Sequence, residues 1–150
     1  MDNDHDRVVR YVAATRFPFP DQTDWPSDYV TITNTSEQKR GIATTCGVRY
    51  PDIVVVNGDG EICEIGEVET EVGAHLLAKW SLYSYACRRN SATGVGQFFV
   101  YVLAGMEGRT QQLLEENHIS YAGVRNYVID LDGRIRIIPI VTLGDPKDHR

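Results

Sequence analysis

The apolar run Ile53-Val54-Val55-Val56, the turn Asn57-Gly58-Asp59-Gly60 and a returning run that ends in Glu67-Val68-Glu69 constrain this chain's fold more than any other stretch. An uninterrupted run of β-branched residues reads as a strand buried on both faces. Asn and Gly accept the positive φ that a tight hairpin turn needs, so the return strand, about residues 61 to 71, lies antiparallel to the first. Pro51 is tolerated at the head of the first strand. Along the return strand, side chains alternate, so Glu67, Glu69 and Glu71 share one face while Val68 and Thr70 take the other. Counting outwards from the turn brings Asp52 opposite residues 65 to 67. Carboxylates beside buried strands are costly unless paired or bound to a cation, and hard cations such as Mg²⁺ take oxygen ligands. A solvated, Glu-rich hairpin end is the plainer alternative.

Around this hairpin the periodicities set a coarse order. Residues 7 to 16 read as a helix with Val8, Tyr11, Val12 and Thr15 on one face, its start capped by Asp4 or Asp6. Pro18, Pro20 and Pro26 make residues 17 to 28 a loop, whose Phe17, Phe19 and Trp25 are expected to pack on the domain surface or on a partner. Tyr29 to Thr35 reads as a strand. Ala74 to Arg89 is the strongest helix, with Leu76, Trp80, Tyr83 and Cys87 in a core stripe and Arg88 and Arg89 suiting the negative end of its dipole. Gln97 to Leu103 is a strand and Glu107 to Asn117 a helix. Val124 to Ile129 and Arg134 to Val141 form a second hairpin about Asp130-Leu131-Asp132-Gly133, and residues 144 to 150 read as a loose tail. The order α-β-β-β-α-β-α-β-β is that of an α/β domain with a mixed sheet flanked by helices.

Composition narrows the function classes. One hundred and fifty residues, 42% hydrophobic and 24% charged, suit one folded domain over residues 1 to 150. The longest apolar run, Phe98 to Met106, is far short of the ~20 residues that cross a bilayer, and no apolar segment follows the acidic start Met1 to Asp6. No membrane partner is expected. Cys46, Cys63 and Cys87 are odd in number and lack CxxC spacing, which indicates neither a disulfide framework nor a zinc knuckle and suits a reducing cytoplasm. Cys63 and Cys87 read as small core residues. A net charge of −6 argues against a protein that coats nucleic acid non-specifically, but not against an enzyme with one basic face. Glu64 and Glu71 read as exposed, as do His5 and His118; His75 stands between surface and site.

Pro51-Asp52, a hairpin and Glu67-Val68-Glu69, set in an αβββαβ order, resemble the PD-(D/E)xK nuclease superfamily, which includes restriction endonucleases, Holliday-junction resolvases and repair nucleases. The resemblance covers element order over roughly residues 7 to 104 and rests specifically on Pro51, Asp52, Glu67 and Glu69. It implies a restriction-endonuclease-like core with a C-terminal αββ extension. It also implies metal-assisted hydrolysis of DNA phosphodiesters, with Asp52, Glu67 and the main-chain carbonyl of Val68 holding Mg²⁺, or Mn²⁺ in its place. Glu69 stands where the motif has its lysine, a departure shared by a minority of active restriction enzymes. Lys79, on the following helix, is the candidate to supply the missing positive charge. Lys39, Arg40 and Arg49 are candidates for phosphate contacts, and a homodimer, joined through Phe17, Phe19 and Trp25, is the expected assembly. The alternative is a catalytically inactive relative serving as a nucleic-acid-binding or protein-interaction module; a third is a small interaction protein with incidental carboxylates.

Overall fold

A computed structural model describes residues 3–150; Met1 and Asp2, part of the acidic start, lie outside the described residues. Helix α1 (Asp4–Arg16) is followed by strands β1 (Val30–Thr33), β2 (Ile42–Thr44), β3 (Gly47–Arg49), β4 (Ile53–Val56) and β5 (Ile62–Glu69). A 3₁₀ turn (Ala74–Leu76) leads into α2 (Leu77–Ala86), then come β6 (Phe98–Leu103), α3 (Glu107–Glu116), β7 (Gly123–Ile129) and β8 (Ile135–Thr142). Six strands form one mixed sheet in the order β1-β4-β5-β6-β7-β8. Strands β5, β6 and β7 are mutually parallel, and β4 and β8 run antiparallel to their inner neighbours. The C-terminal helix and strands thus extend the same sheet.

Helices cover both faces because the buried strands are apolar on both sides. On one face Val8, Val9 and Val12 of α1 pack with Ile53, Val55, Val68, Tyr101 and Tyr127. On the other, Leu76, Trp80, Tyr83 and Cys87 of the α2 segment and Leu113 and Leu114 of α3 pack on Ile65, Phe98, Val100 and Val102. The expected stripe on α2 is therefore its core face. Gly66 lies under Phe17, where an added Cβ would come within 3.2 Å of the ring. Among the described residues no helix is long and apolar enough to cross a membrane.

Several expectations are corrected. The cap of α1 is Asn3, whose side chain accepts from the Asp6 amide at 2.7 Å, one turn ahead of the expected start. A small separate hairpin, β2–β3, occupies the stretch left unassigned around Thr44 and Thr45; Gly47 at φ 110° closes it. Helix α2 stops at Ala86 because Arg88 leaves it to pair, its amide donating to the Cys63 carbonyl and its own carbonyl accepting from Gln97. Phe17 does not stand free for a partner: it is buried, edge-on to Phe99. Phe19 and Trp25 are half-buried, against His149 and Tyr29.

Glu64 is likewise buried rather than exposed, and the tail is not loose. Val55 and Glu64 are register partners, so Glu64 faces the α1 side. The Arg150 guanidinium crosses the Phe99 ring, donates to Glu64, and is gripped by Asp148. Burial lowers the Arg150 pKa to about 10. Arg125, also buried, donates to the carbonyls of Arg150, Val141 and Asp148, closing residues 145 to 150 over the sheet.

Candidate metal centre

The chemistry-bearing residues gather where the carboxyl ends of parallel strands β5 to β7 meet the start of β4, the edge at which open α/β sheets commonly place their sites. Ile53 pairs with Gly66 and Val54 with Ile65, so the next step of the register sets Asp52 opposite Glu67. Asn34 braces this mouth. Its amide donates to the Asp52 carbonyl at 3.0 Å, and its side-chain nitrogen donates to the carbonyls of Pro51 and Arg40. The Oδ2 of Asp52 then accepts from the Val68 amide at 2.9 Å, tying the head of β4 to the end of β5.

Asp52 and Glu67 are close enough to share a proton. Burial, followed by the neighbouring charge and hydrogen bond of Asp52, pushes the Glu67 carboxyl well above its usual range. Burial acts upwards on Asp52 too, but the hydrogen bond from Glu67 and the hydrogen bond and charge of His5 outweigh it, and its pKa falls. The pair therefore titrates jointly, its surroundings favouring the proton on Glu67 and the charge on Asp52. His5, expected to be solvent-exposed, instead approaches Asp52 Oδ2 at 3.2 Å through Nε2 and Asp6 at 2.9 Å through Nδ1. The bond to Asp52, against partial burial, raises His5 to about 9, so both ring nitrogens carry protons. It was missed because a histidine in the first turn of a helix has no periodic signature. Asn3 as a cap, placing His5 on the sheet side of α1, is the one signal that could have found it.

Glu69 follows Glu67 on the same face and is engaged by α2. Lys79 Nζ lies 3.1 and 2.8 Å from its two oxygens, and the Trp80 indole donates to Oε2 at 2.7 Å. Trp80 is thus both core and site, which satisfies its N–H where the indole is fully buried. Burial acts downwards on Lys79, but the charges of Glu67, Glu69 and Asp52 together raise its pKa. Its ammonium therefore answers all the carboxylates. Tyr83 was read as core alone. It is buried, and burial together with the Glu67 and Asp52 charges drives its hydroxyl pKa upwards, which puts it within the field of the pair.

The remaining candidates divide. His75 is exposed in the 3₁₀ turn, away from the contacts Lys79 makes. Lys39 is exposed beside Asn34, which accepts from its amide. Arg40 is turned onto the carbonyls of Gly41 and Gly60. Arg49 is exposed on β3, near enough to Tyr83 to act on its ionisation. Glu71 is exposed beyond the end of β5. Among the described residues no three His, Cys, Asp or Glu side chains stand arranged to hold a metal ion. Asp52 and Glu67 supply hard oxygen donors of the kind Mg²⁺ requires, while Glu69 is committed to Lys79 and Trp80. The chain matches none of the protein-family models, curated proteins or solved structures with which it was compared.

Proposed function

We propose that this chain is a metal-dependent deoxyribonuclease with a restriction-endonuclease-like core. The observation that carries the reading is Asp52, half-buried and bonded to the Val68 amide, set against buried Glu67, with the Lys79 ammonium held at Glu69 two residues along. Two carboxyls held together resist double ionisation unless a cation joins them, which is costly in a site of no use. Asp52 and Glu67 would hold Mg²⁺ or Mn²⁺. The Val68 carbonyl would join them, since the N–H and C=O of one strand residue point to the same side and the Val68 N–H points to Asp52. The bound cation supplies Lewis-acid stabilisation of charge on the phosphate and a more acidic water.

The protein's own groups do the rest. On this reading the Lys79 ammonium takes the part of the strand lysine and offsets charge growing on the phosphate. Glu69 is then a positioning residue, holding Lys79 in place with Trp80 as its second donor. His5 keeps Asp52 ionised and oriented. On this reading the helix supplies the lysine that the strand lacks, and Glu69 anchors it.

A second reading is favoured by one fact: the lysine position of the motif holds Glu69, whose carboxylate is taken up by Lys79 and Trp80. On it the chain is an inactive nuclease-fold module that binds nucleic acid or protein. Plasmid, single-stranded and branched DNA incubated with Mg²⁺ or Mn²⁺ separate the two. The nuclease reading expects cleavage by wild type, abolished in Asp52→Ala and in Glu67→Gln. Absence of cleavage on every substrate, or equal cleavage by Asp52→Ala, would falsify it.

A further inference from the structure

Helix α2 runs back along β5, because it is the crossover between the parallel strands β5 and β6. Two steps back along the strand, from Glu69 to Glu67, cover about 6.8 Å. Four steps forward along the helix, from Lys79 to Tyr83, cover about 6 Å on one face. The helix therefore offers a polar group to each acid in turn. Lys79 and Trp80 bond Glu69. Tyr83 comes one turn later, level with Glu67. Its ring meets Phe98 at 6.5 Å, and Phe98 is the register partner of Ile65, two residues before Glu67. Tyr83 is 3% exposed, yet its hydroxyl makes no hydrogen bond among the described residues. Nor is that oxygen sealed in the core, as the partnerless Tyr101 hydroxyl is.

We propose that the Tyr83 hydroxyl donates a hydrogen bond to a non-bridging oxygen of a phosphate held at the Asp52–Glu67 centre, and is a catalytic residue there. This rests on the metal centre of the nuclease reading, but the contact itself requires no cleavage. If α2 served only to satisfy the acids of β5, Tyr83 would bond Glu67 as Trp80 bonds Glu69, and it does not. Burial, then the charges of Glu67 and Asp52, drive the hydroxyl pKa upwards, ahead of any effect of Arg49 or Glu69. The group therefore stays protonated at neutral pH: it is a donor, and no base for an attacking water. A phosphate oxygen is the acceptor such a donor suits, since charge grows on it as the bond to the leaving oxygen weakens. The packed ring fixes the hydroxyl before any ligand arrives, so little side-chain freedom is lost on binding. Being neutral, it does not compete with a cation for the carboxylates, as a second lysine would.

Tyr83→Phe removes one oxygen and keeps the ring. Inorganic phosphate is titrated into the protein in excess Mg²⁺ and followed by phosphorus NMR, with plasmid cleavage measured alongside. The melting temperature and Mg²⁺ affinity of Tyr83→Phe should match wild type, because the hydroxyl bonds nothing in the free protein. Phosphate affinity should fall about tenfold, and kcat for cleavage about 10²-fold. A phosphorothioate of either configuration, placed at the bond that wild type cuts, adds a readout that packing does not move. Sulfur is a weak acceptor, so one of the two diastereomers should slow wild type and leave Tyr83→Phe no slower than its own oxygen substrate. No phosphate binding by wild type, equal phosphate affinity in the two proteins, a sulfur effect undiminished in Tyr83→Phe, or a loss of Mg²⁺ affinity that accounts for the fall would each overturn the proposal. Hydroxyl-dependent phosphate binding without cleavage of any DNA would uphold the contact and reject the nuclease reading. Cleavage at the wild-type rate by Tyr83→Phe would do the reverse.

Discussion

Lys79→Ala probes the least ordinary contact of the site. Glu69 is 9% exposed and Lys79 27%, and the two meet at 2.8 Å. Removing one partner of a fully buried ion pair costs about 3–5 kcal/mol. Here Lys79 is part-exposed, and the Trp80 indole still donates to Glu69, so about 2 kcal/mol is expected. For a chain of this length that corresponds to a fall in melting temperature of roughly 4–8 °C. Adding Glu69→Gln should recover part of the loss, since Gln removes the orphaned charge yet keeps an acceptor for the indole. Cleavage should fall by about 10²–10³ in Lys79→Ala if its ammonium meets the phosphate. Glu69→Lys placed in the Lys79→Ala background returns an ammonium to the strand and should restore part of that rate. The Trp80 N–H then lacks its acceptor, so this variant is assayed in the cold. Thermal melts, metal-free, isolate the ion pair from the chemistry. If Lys79→Ala melts and cuts like wild type, or the strand lysine leaves cleavage as low as the single variant does, the relocated-lysine argument is wrong.

Three other outcomes follow from burial and charge. Glu64→Leu should cost about 3 kcal/mol in urea unfolding, because it leaves the Arg150 guanidinium in the core with Asp148 alone; an unchanged midpoint would show that the tail is not held by this pair. In the metal-free protein, the imidazole resonances of His5 should titrate near 9, and in Asp52→Asn they should move back towards 6.5. Because the folded pKa is raised, the stability from this contact is fully present below 6.5 and is lost as pH rises through about 9. Its size is about 1 kcal/mol after allowing for an imidazole one-third exposed, and titration of wild-type His5 at its ordinary value would remove the contact from the account. Cys46 is exposed while Cys63 and Cys87 are buried, so Ellman's reagent should find one fast thiol in the native protein and the other two only after denaturation. Rapid reaction of a second thiol would contradict the packing of α2 on β5.

The parts of this fold that could be read from the chain are those with dense local signals. The run Ile53 to Val56 and the turn Asn57 to Gly60 specify a buried hairpin, and counting back from that turn sets Asp52 against Glu67, one step beyond the Ile53–Gly66 pair that ends the register. The helical stripe of α2 announced its core face. What escaped was set by contacts between distant segments. Glu64 looks like a surface acid until Arg150, far along the chain, supplies its partner. His5 acquires its place only when α1 docks across the sheet, and the β2–β3 hairpin is too short and too exposed to carry an alternating pattern. Lys79 could be proposed from helical spacing, but its attachment to Glu69 depends on where the turn at Ala74–Leu76 aims α2.

Glu69, in the lysine position of the motif, and His5, unforeseen in the sequence, bear on each other through charge. The ordinary arrangement of such sites sets two acids and one lysine around a divalent cation and a phosphate. On the nuclease reading Glu69 is a third carboxylate, which alone would make the site one unit more negative and repel an incoming phosphate. His5 adds one positive charge beside Asp52, held there by Asp52 and Asp6. Counting Asp52, Glu67, Glu69, Lys79 and His5, extra acid and extra base cancel; Asp6, on the other ring nitrogen of His5, stands outside that count. On this reasoning Glu69 and His5 form a compensated pair although they do not touch, and a site with Glu in the lysine position stays competent only while both cations remain. His5→Ala should then impair cleavage more at low salt, where uncompensated charge acts at longer range, than at high salt; an impairment independent of salt would assign His5 to local geometry instead.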